Sequence, residues 1–350
     1  MTAKKFAVRL GLAALLPGAA TAPAGAADAV EAFYKGRQIQ LIVSTAPGGA
    51  YDAFARLMVQ YLPAYIPGHP SFVVQNMNGA NGLTATNHLA NIAARDGTVI
   101  ASVQSNIPTS QILAPAGVHF DANKLSWIGS ITKDIFVGYV WHDAKVKTYE
   151  QAKTDVAIMG GQGVGAATID FAIVSNALFG TKFKIITGYG SSGETKLAME
   201  RRELDGTFGN GWTSLKIDQK DWLTEGKIRI FIQHGFAPHR ELPDVPLFID
   251  QAKNPPDRQV LELLLARQET NKPYLAPPGV PADRLNALRR AFDATVADPK
   301  FRAAADKANL AIDGPMTGEA LAAMVARISA TPPEVPRRIE RIFSEFQGGK

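Results

Sequence analysis

Residues 38–62 constrain this chain more tightly than any other stretch. Ile39, Leu41 and Val43 alternate with polar residues around Ile42, the period-two pattern of a strand. Ala46-Pro47-Gly48-Gly49-Ala50 follows, a turn in which two glycines admit backbone angles that other residues avoid. Phe54, Leu57, Met58, Tyr61 and Leu62 then recur at helical spacing, and Pro63 is expected to stop the helix. A strand, a glycine turn and a helix start leave several backbone N–H groups facing one point, where the helix dipole adds its positive end. Such a turn either holds an anion or only joins its strand to its helix. Asp52, in the first helical turn, suits the dipole but would repel an anion placed against it.

The start of the chain reads as an export leader. Lys4, Lys5 and Arg9 precede the apolar Ala13-Ala14-Leu15-Leu16, and Ala24-Gly25-Ala26 has the small residues of a cleavage site. Residues 1–27 are therefore expected to be a signal peptide cut near Ala26 or Ala27, with an uncleaved anchor as the other reading. No later apolar run approaches the ~20 residues of a membrane span, so a soluble mature protein is expected. The full chain carries +5, and removing the three basic leader residues leaves +2. That is too little to imply a nucleic-acid partner, and no basic stripe interleaves with aromatics. With no cysteine, disulfides and thiol chemistry are excluded. About 320 mature residues suffice for two domains.

Strands are expected at Ser71–Gln75 and Thr98–Val103. The first ends in the amide-rich turn Asn76-Met77-Asn78-Gly79-Ala80-Asn81-Gly82, the second at Ser105-Asn106. A helix through His88 lies between them. Strands alternating with helices imply an open parallel sheet, with ligands bound beyond the carboxyl ends of its strands. The pattern restarts near Trp127. After a strand at Phe136–Val140, a strand at Val156–Met159 leads into Gly160-Gly161-Gln162-Gly163-Val164-Gly165 and a helix from Ala166 to Phe179, capped by Gly180. The opening element thus recurs about 115 residues later. Tyr189-Gly190-Ser191-Ser192-Gly193 and Gly209-Asn210-Gly211 are read as further strand-end loops. Pro238 to Pro256 suits a surface crossing, and the tail holds helices near Ala282–Val296, Pro299–Ala308 and Gly318–Ser329.

Two glycine turns, one in each half, suggest two lobes closing on one ligand; two unrelated turns of a sheet would read the same way. Charge-assisted hydrogen bonds contribute ~1.5–3 kcal/mol each, so three or four amide donors suffice for a carboxylate without a lysine or arginine. Gly161 to Ala166 also fits the dinucleotide fingerprint, but the acid due at the end of the next strand is absent. Gly190-Ser191-Ser192-Gly193 is not a nucleophile elbow. The six histidines form no metal spacing, and His142, His234 and His239 are expected on the surface or in loops. No cofactor, metal or catalytic residue is expected.

Pro47-Gly48-Gly49-Ala50-Tyr51-Asp52-Ala53-Phe54-Ala55-Arg56 resembles the P-G-G-x-x-D-x-x-A-R signature of the Bug (TctC-type) extracytoplasmic solute receptors of tripartite tricarboxylate transporters. Val73 to Gly82 is similar to that family's V-V-x-N-x-P-G-A-G-G, with Asn78 and Asn81 in place of its proline and a glycine. Asp96-Gly97-Thr98 and Ala276 to Pro281 sit where it has D-G-y-T and a-P-a-G-t-P. The resemblance implies an α/β venus-flytrap fold of two lobes, each a mostly parallel sheet flanked by helices, and no catalysis. Lobe one is expected from 28–131 with 256–350, and lobe two from 132–255. It implies an organic carboxylate gripped by Ala46–Asp52 and Gly161–Ala166, with Asn78, Ser105, Asn106, Tyr189 and Asn210 nearby. Ala166 and Ile169 replace a serine and a histidine frequent in the family, so a partly apolar acid between Tyr51 and Tyr189 is expected. The implied partners are integral membrane transporter subunits (TctA/TctB-like), and the expected state is a monomer. An exported enzyme acting on a carboxylate, or a sensor partner, would carry a similar site. Valine at Gly49 is expected to abolish ligand binding while leaving the melting temperature of the free protein in place; unchanged affinity by calorimetry would count against the first turn.

Overall fold

The computed structural model describes residues 24–48, 50–113, 115–189 and 192–349. Residues 1–23 of the expected leader (1–27), and Gly49, Gly190 and Ser191 of the expected loops, lie outside the described residues. Helix α1 (Ala24–Tyr34) leads into β1 (Gln38–Val43), α2 (Ala50–Tyr61), β2 (Ser71–Asn76), α3 (Leu83–Asn91), β3 (Val99–Ser102), α4 (Ile107–Leu113) and β4 (Ser126–Thr132). The chain then passes to a second sheet through β5 (Phe136–Trp141), α5 (Tyr149–Thr154), β6 (Ala157–Gly160), α6 (Ala167–Phe179), β7 (Phe183–Ile186) and α7 (Ser192–Glu200). There follow β8 (Gly206–Gly211), α8 (Trp212–Asp218), α9 (Lys220–Thr224), β9 (Ile228–His234) and α10 (Pro255–Glu269). It returns to the first sheet as β10 (Asn271–Ala276), and ends with α11 (Ala282–Ala297), α12 (Pro299–Lys307), β11 (Met316–Thr317), α13 (Gly318–Ser329) and α14 (Glu334–Gly348).

The first sheet has the order β11-β4-β10-β3-β1-β2, the second β7-β6-β8-β5-β9. The expected two-sheet α/β architecture is met, but the sheets are mixed, where mostly parallel ones were expected. The βαβ units β1-α2-β2 and β6-α6-β7 are parallel, as their helical crossovers require. Strand β10 enters from the second lobe and so runs against both β3 and β4, between which it lies. For the same reason β5, entering from the first, runs against β8 and β9.

Local chemistry explains most elements. Strand β1 lies inside the sheet and is almost wholly buried, whereas β2 lies at the edge and alternates exposed with half-buried residues. Gly180 caps α6 in the left-handed region, as expected. Helix α2 ends at Tyr61, just before Pro63 as expected, and a 3-10 turn over Leu62–Tyr65 follows it. Helix α10 is a departure from the sequence reading, which had only a surface crossing before it. Its prolines occupy the first turn, where no N–H partner is lost, and Asn254 accepts from the N–H of Asp257. Leu261, Leu263, Leu264 and Leu265 are buried beneath its charged surface. Helix α14 was also missed, and packs on α10 and on α6 of the second lobe. Asn210 belongs to β8, paired with Val137, rather than to a loop. Among the described residues no helix is long and apolar enough to cross a membrane.

His234 corrects the expectation of surface or loop histidines. It ends β9 with no exposed surface, stacked on Phe171 at 4.4 Å between ring centroids and edge-on to Phe208 at 4.7 Å. Its Nδ1–H donates to the Phe136 carbonyl at 3.2 Å, which fixes the neutral tautomer. Burial pulls its pKa from 6.5 down to about 3. The folded state therefore resists a proton that the unfolded chain accepts, so stability present above pH 6.5 is lost as pH falls towards about 3. Each pH unit in that window costs up to about 1.4 kcal/mol. The melting temperature should decline between pH 6.5 and 4.5 in the native protein and much less in His234→Phe; parallel declines would show that other groups carry the effect.

Candidate functional site

Both glycine turns sit at the carboxyl end of a strand next to the middle of its sheet, and both are braced alike. In the first, Gly48 adopts a φ of +87°, a conformation that any side chain would strain. Its N–H donates to Asp52 Oδ2 at 3.0 Å, and Arg56 Nε donates to the same oxygen at 2.9 Å. Asp52 Oδ1 accepts from Asn76 Nδ2 at 2.9 Å, and that amide also donates to the Thr45 carbonyl at 3.0 Å. One buried carboxylate thus ties the turn, the start of α2 and the end of β2. Arg56, opposed by burial and helped by the amide donors, holds the Asp52 carboxyl down to about 2.

In the second turn Gly165 has a φ of +97°. Its N–H donates to Asp170 Oδ1 at 2.7 Å, and Arg267 Nη2 of α10 donates to Oδ2 at 2.8 Å. Arg267 also reaches the Gly165 carbonyl at 3.4 Å, with its guanidinium 5.8 Å from the centre of the Phe171 ring. Burial pushes the Asp170 carboxyl up, and Arg267 and the Gly165 N–H oppose that shift. Asp170 and Arg267 were absent from the sequence reading. The signal was there: an acid in the first helical turn follows the glycine in both units, Gly48 with Asp52 and Gly165 with Asp170.

These braces correct the expected role of the glycines. The amides of Gly48 and Gly165 serve the carboxylates, that of Gly161 donates to the Ile186 carbonyl, and that of Ala166 to Gly163. They shape the loops. The N–H groups of Gln162, Gly163 and Val164 have no hydrogen-bond partner among the described residues. The N–H groups of Ala167 and Thr168, in the first turn of α6, are likewise without a partner among the described residues. Asp52 no longer counts as a bare repulsive charge, since Arg56 neutralises it.

A hollow of about 250 Å³ opens on the second lobe, lined by Gly161, Gln162 and Asn210 from the sequence reading and by Tyr139, Thr168 and Lys196, which it missed. Gly161 is required there, because a Cβ would lie 2.4 Å from Thr168 Oγ1. Asn210 Nδ2 donates to Tyr139 Oη at 3.2 Å. No described residue of 46–52 lines this hollow. In the first lobe the structure joins Tyr51 and Ser105, whose N–H donates to Tyr51 Oη at 3.1 Å. Asn106 donates to the Asn81 carbonyl at 3.2 Å. Ala46, Pro47, Gly48, Ala50, Asn78 and Val164 are exposed. Tyr189 is half-buried, its N–H on the Gly161 carbonyl at 3.4 Å.

Two buried lysines lie near the expected loops, for which the sequence reading had invoked amide donors alone. Lys196 lines the hollow. Lys272 is buried at the end of the crossing into β10, its Nζ 4.8 Å from the centre of the Phe54 ring and 5.5 Å from that of Tyr51. Burial lowers its ammonium to about 8, against the opposing charge of Asp134. Among the described residues no cluster of histidine and acidic side chains could hold a metal ion.

Comparison with solved structures follows the same architecture. A TctC solute-binding protein from Polaromonas, solved without ligand, superposes with a TM-score of 0.69 at 20% identity, covering 87% of this chain and 99% of its own. The chain has the fold of the TctC and Bug solute-binding proteins. An R. palustris protein solved with adipate (TM-score 0.59, 16% identity) covers 88% of this chain and 97% of its own. MatC from Rhodopseudomonas palustris, with bound malate, covers 89% and 98% at a TM-score of 0.52 and 18% identity. No protein-family model and no curated protein matches this chain.

The brace of the second turn makes a direct prediction. Arg267→Met leaves a buried carboxylate without its cation and should cost about 3–5 kcal/mol in urea unfolding. Adding Asp170→Asn should restore much of that loss, because the amide keeps the Gly165 contact without the charge. Additive losses in the double variant would show that the pair is not coupled.

Proposed function

We propose that this protein is a periplasmic solute-binding receptor that captures an organic carboxylate between two lobes and delivers it to the integral subunits of a tripartite tricarboxylate-type transporter. The lobes are taken as 28–131 with 256–350, and 132–255. The observation that carries this reading is the repeated construction of the two turns. In each, a glycine at a strand end is staked by a buried aspartate with its own arginine. Nothing in the two sheets needs such a pair of neutralised braces, whereas a ligand clamp needs loops that keep their shape while lobes move. The spare amides of Gln162, Gly163 and Val164, with those of Ala167 and Thr168 in the first turn of α6, supply donors where the helix dipole favours negative charge. The likeness to structures solved with malate and with adipate supports a carboxylate as the guest.

Binding without turnover is the discriminating measurement. A thermal-shift screen over mono-, di-, tri- and aromatic carboxylates should find an acid that raises the melting temperature by about 2 °C or more at a hundredfold excess over its Kd. Incubated with protein, that acid should be recovered unchanged, and its addition should make the molecule more compact in small-angle scattering. Conversion of the acid would favour an exported enzyme, and identical scattering profiles would refute closure.

A further inference from the structure

We propose that the hollow in the second lobe is an anion subsite whose formal charge is Lys196, so that the bound acid presents a carboxylate to that lobe. The inference rests on the receptor reading and names the chemistry of one end of its ligand. Lys196 stands on α7, is 8% exposed and lines the hollow. Its Nζ has one hydrogen-bond partner among the described residues, Asp218 Oδ2 at 3.2 Å. Asp218 is not part of the hollow's wall, and its side chain is half exposed. An ammonium carries three donors, so two remain after that contact.

Two neighbouring hydroxyls point to the same chemistry. Thr168 Oγ1 is sealed from solvent and has no hydrogen-bond partner among the described residues. Tyr139 is 1% exposed and its oxygen accepts from Asn210, which leaves its own proton to donate. Among the described residues, no aspartate or glutamate lines the hollow. A buried hydroxyl without a partner and an ammonium with donors to spare both cost free energy until an acceptor arrives. A carboxylate is acceptor-only and offers about four lone-pair directions. An ammonium group would set donors against donors, and a neutral amide would offer acceptors on its carbonyl oxygen alone. A space of about 250 Å³ takes a carboxylate and a short stretch of its chain, leaving the rest of a larger acid to extend towards the first lobe.

The test is calorimetric titration of the full mature chain with succinate, glutarate and adipate, each against its monoamide. In the native protein the diacids should bind about tenfold or more tightly than their monoamides. Lys196→Met should erase that preference and Lys196→Arg should keep most of it. Asp218→Asn, a change at a half-exposed site, should tighten diacid binding about threefold by removing the competitor for the ammonium. Equal binding of diacid and monoamide, or a preference that survives in Lys196→Met, overturns the inference. Should Lys196→Met fail to fold, unchanged or weaker diacid binding by Asp218→Asn does so instead. If none of the six binds, the best acid of the wider screen replaces them. Equal affinity of that acid for native and Lys196→Met protein overturns the anion subsite alone. Absence of binding by every acid overturns the receptor reading beneath it.

Discussion

Each glycine turn of this molecule depends on a carboxylate that is buried, neutralised and bonded to the backbone of that turn. Asp52 and Asp170 do this in their respective lobes. An unpaired buried carboxylate would be untenable, so each comes with an arginine, Arg56 or Arg267. The two arginines differ in origin. Arg56 lies one turn further along the same helix, and is half exposed. Arg267 is brought from α10, almost 100 residues away, and is largely buried. The first brace is therefore local and screened, while the second couples the second glycine turn to the helix that carries the chain back into the first sheet.

That coupling places the second turn in mechanical contact with the crossing. Helix α10 ends at Glu269, and Gln268 bonds both to the backbone of Asp134 and, through its side chain, to Phe136 N. Asp134 in turn accepts from the Thr213 N–H at the start of α8 and faces Lys272. Lys272 lies over the rings of Tyr51 and Phe54 in the first lobe. A chain of packed and hydrogen-bonded groups thus joins Gly165 to Tyr51 through the segments that connect the sheets. A displacement at one turn has a physical route to the other.

The lobes also share apolar packing away from the turns. One buried cluster contains Ile42 and Trp127 from the first sheet and Val140, Met159 and Phe208 from the second, together with residues of α10 and α14. Helix α14 contacts α6 while lying at the end of a chain segment whose other helices serve the first sheet. A continuous core on this side limits how far the sheets can separate, because opening it would expose buried area at about 25 cal/mol per Å².

The sequence by itself determined the local units: strand, glycine turn and helix at 38–62 and again at 157–179, the cap at Gly180, and the resemblance carried by Pro47 to Arg56. These follow from periodicity and from backbone angles that glycine alone adopts freely, which are properties of neighbours along the chain. Even there, Gly48 and Gly165 turned out to spend their amides on aspartates rather than offer them outward. Only the tertiary structure decided which strands run antiparallel, that α10 is a buried helix beneath two prolines and a charged face, and that His234 belongs to an aromatic core. It alone set Arg267 on Asp170 and put Lys196 in the wall of a hollow with Thr168 and Tyr139. Those pairings join residues that lie tens of positions apart, and no local pattern encodes which distant side chain will be left facing an unmatched charge.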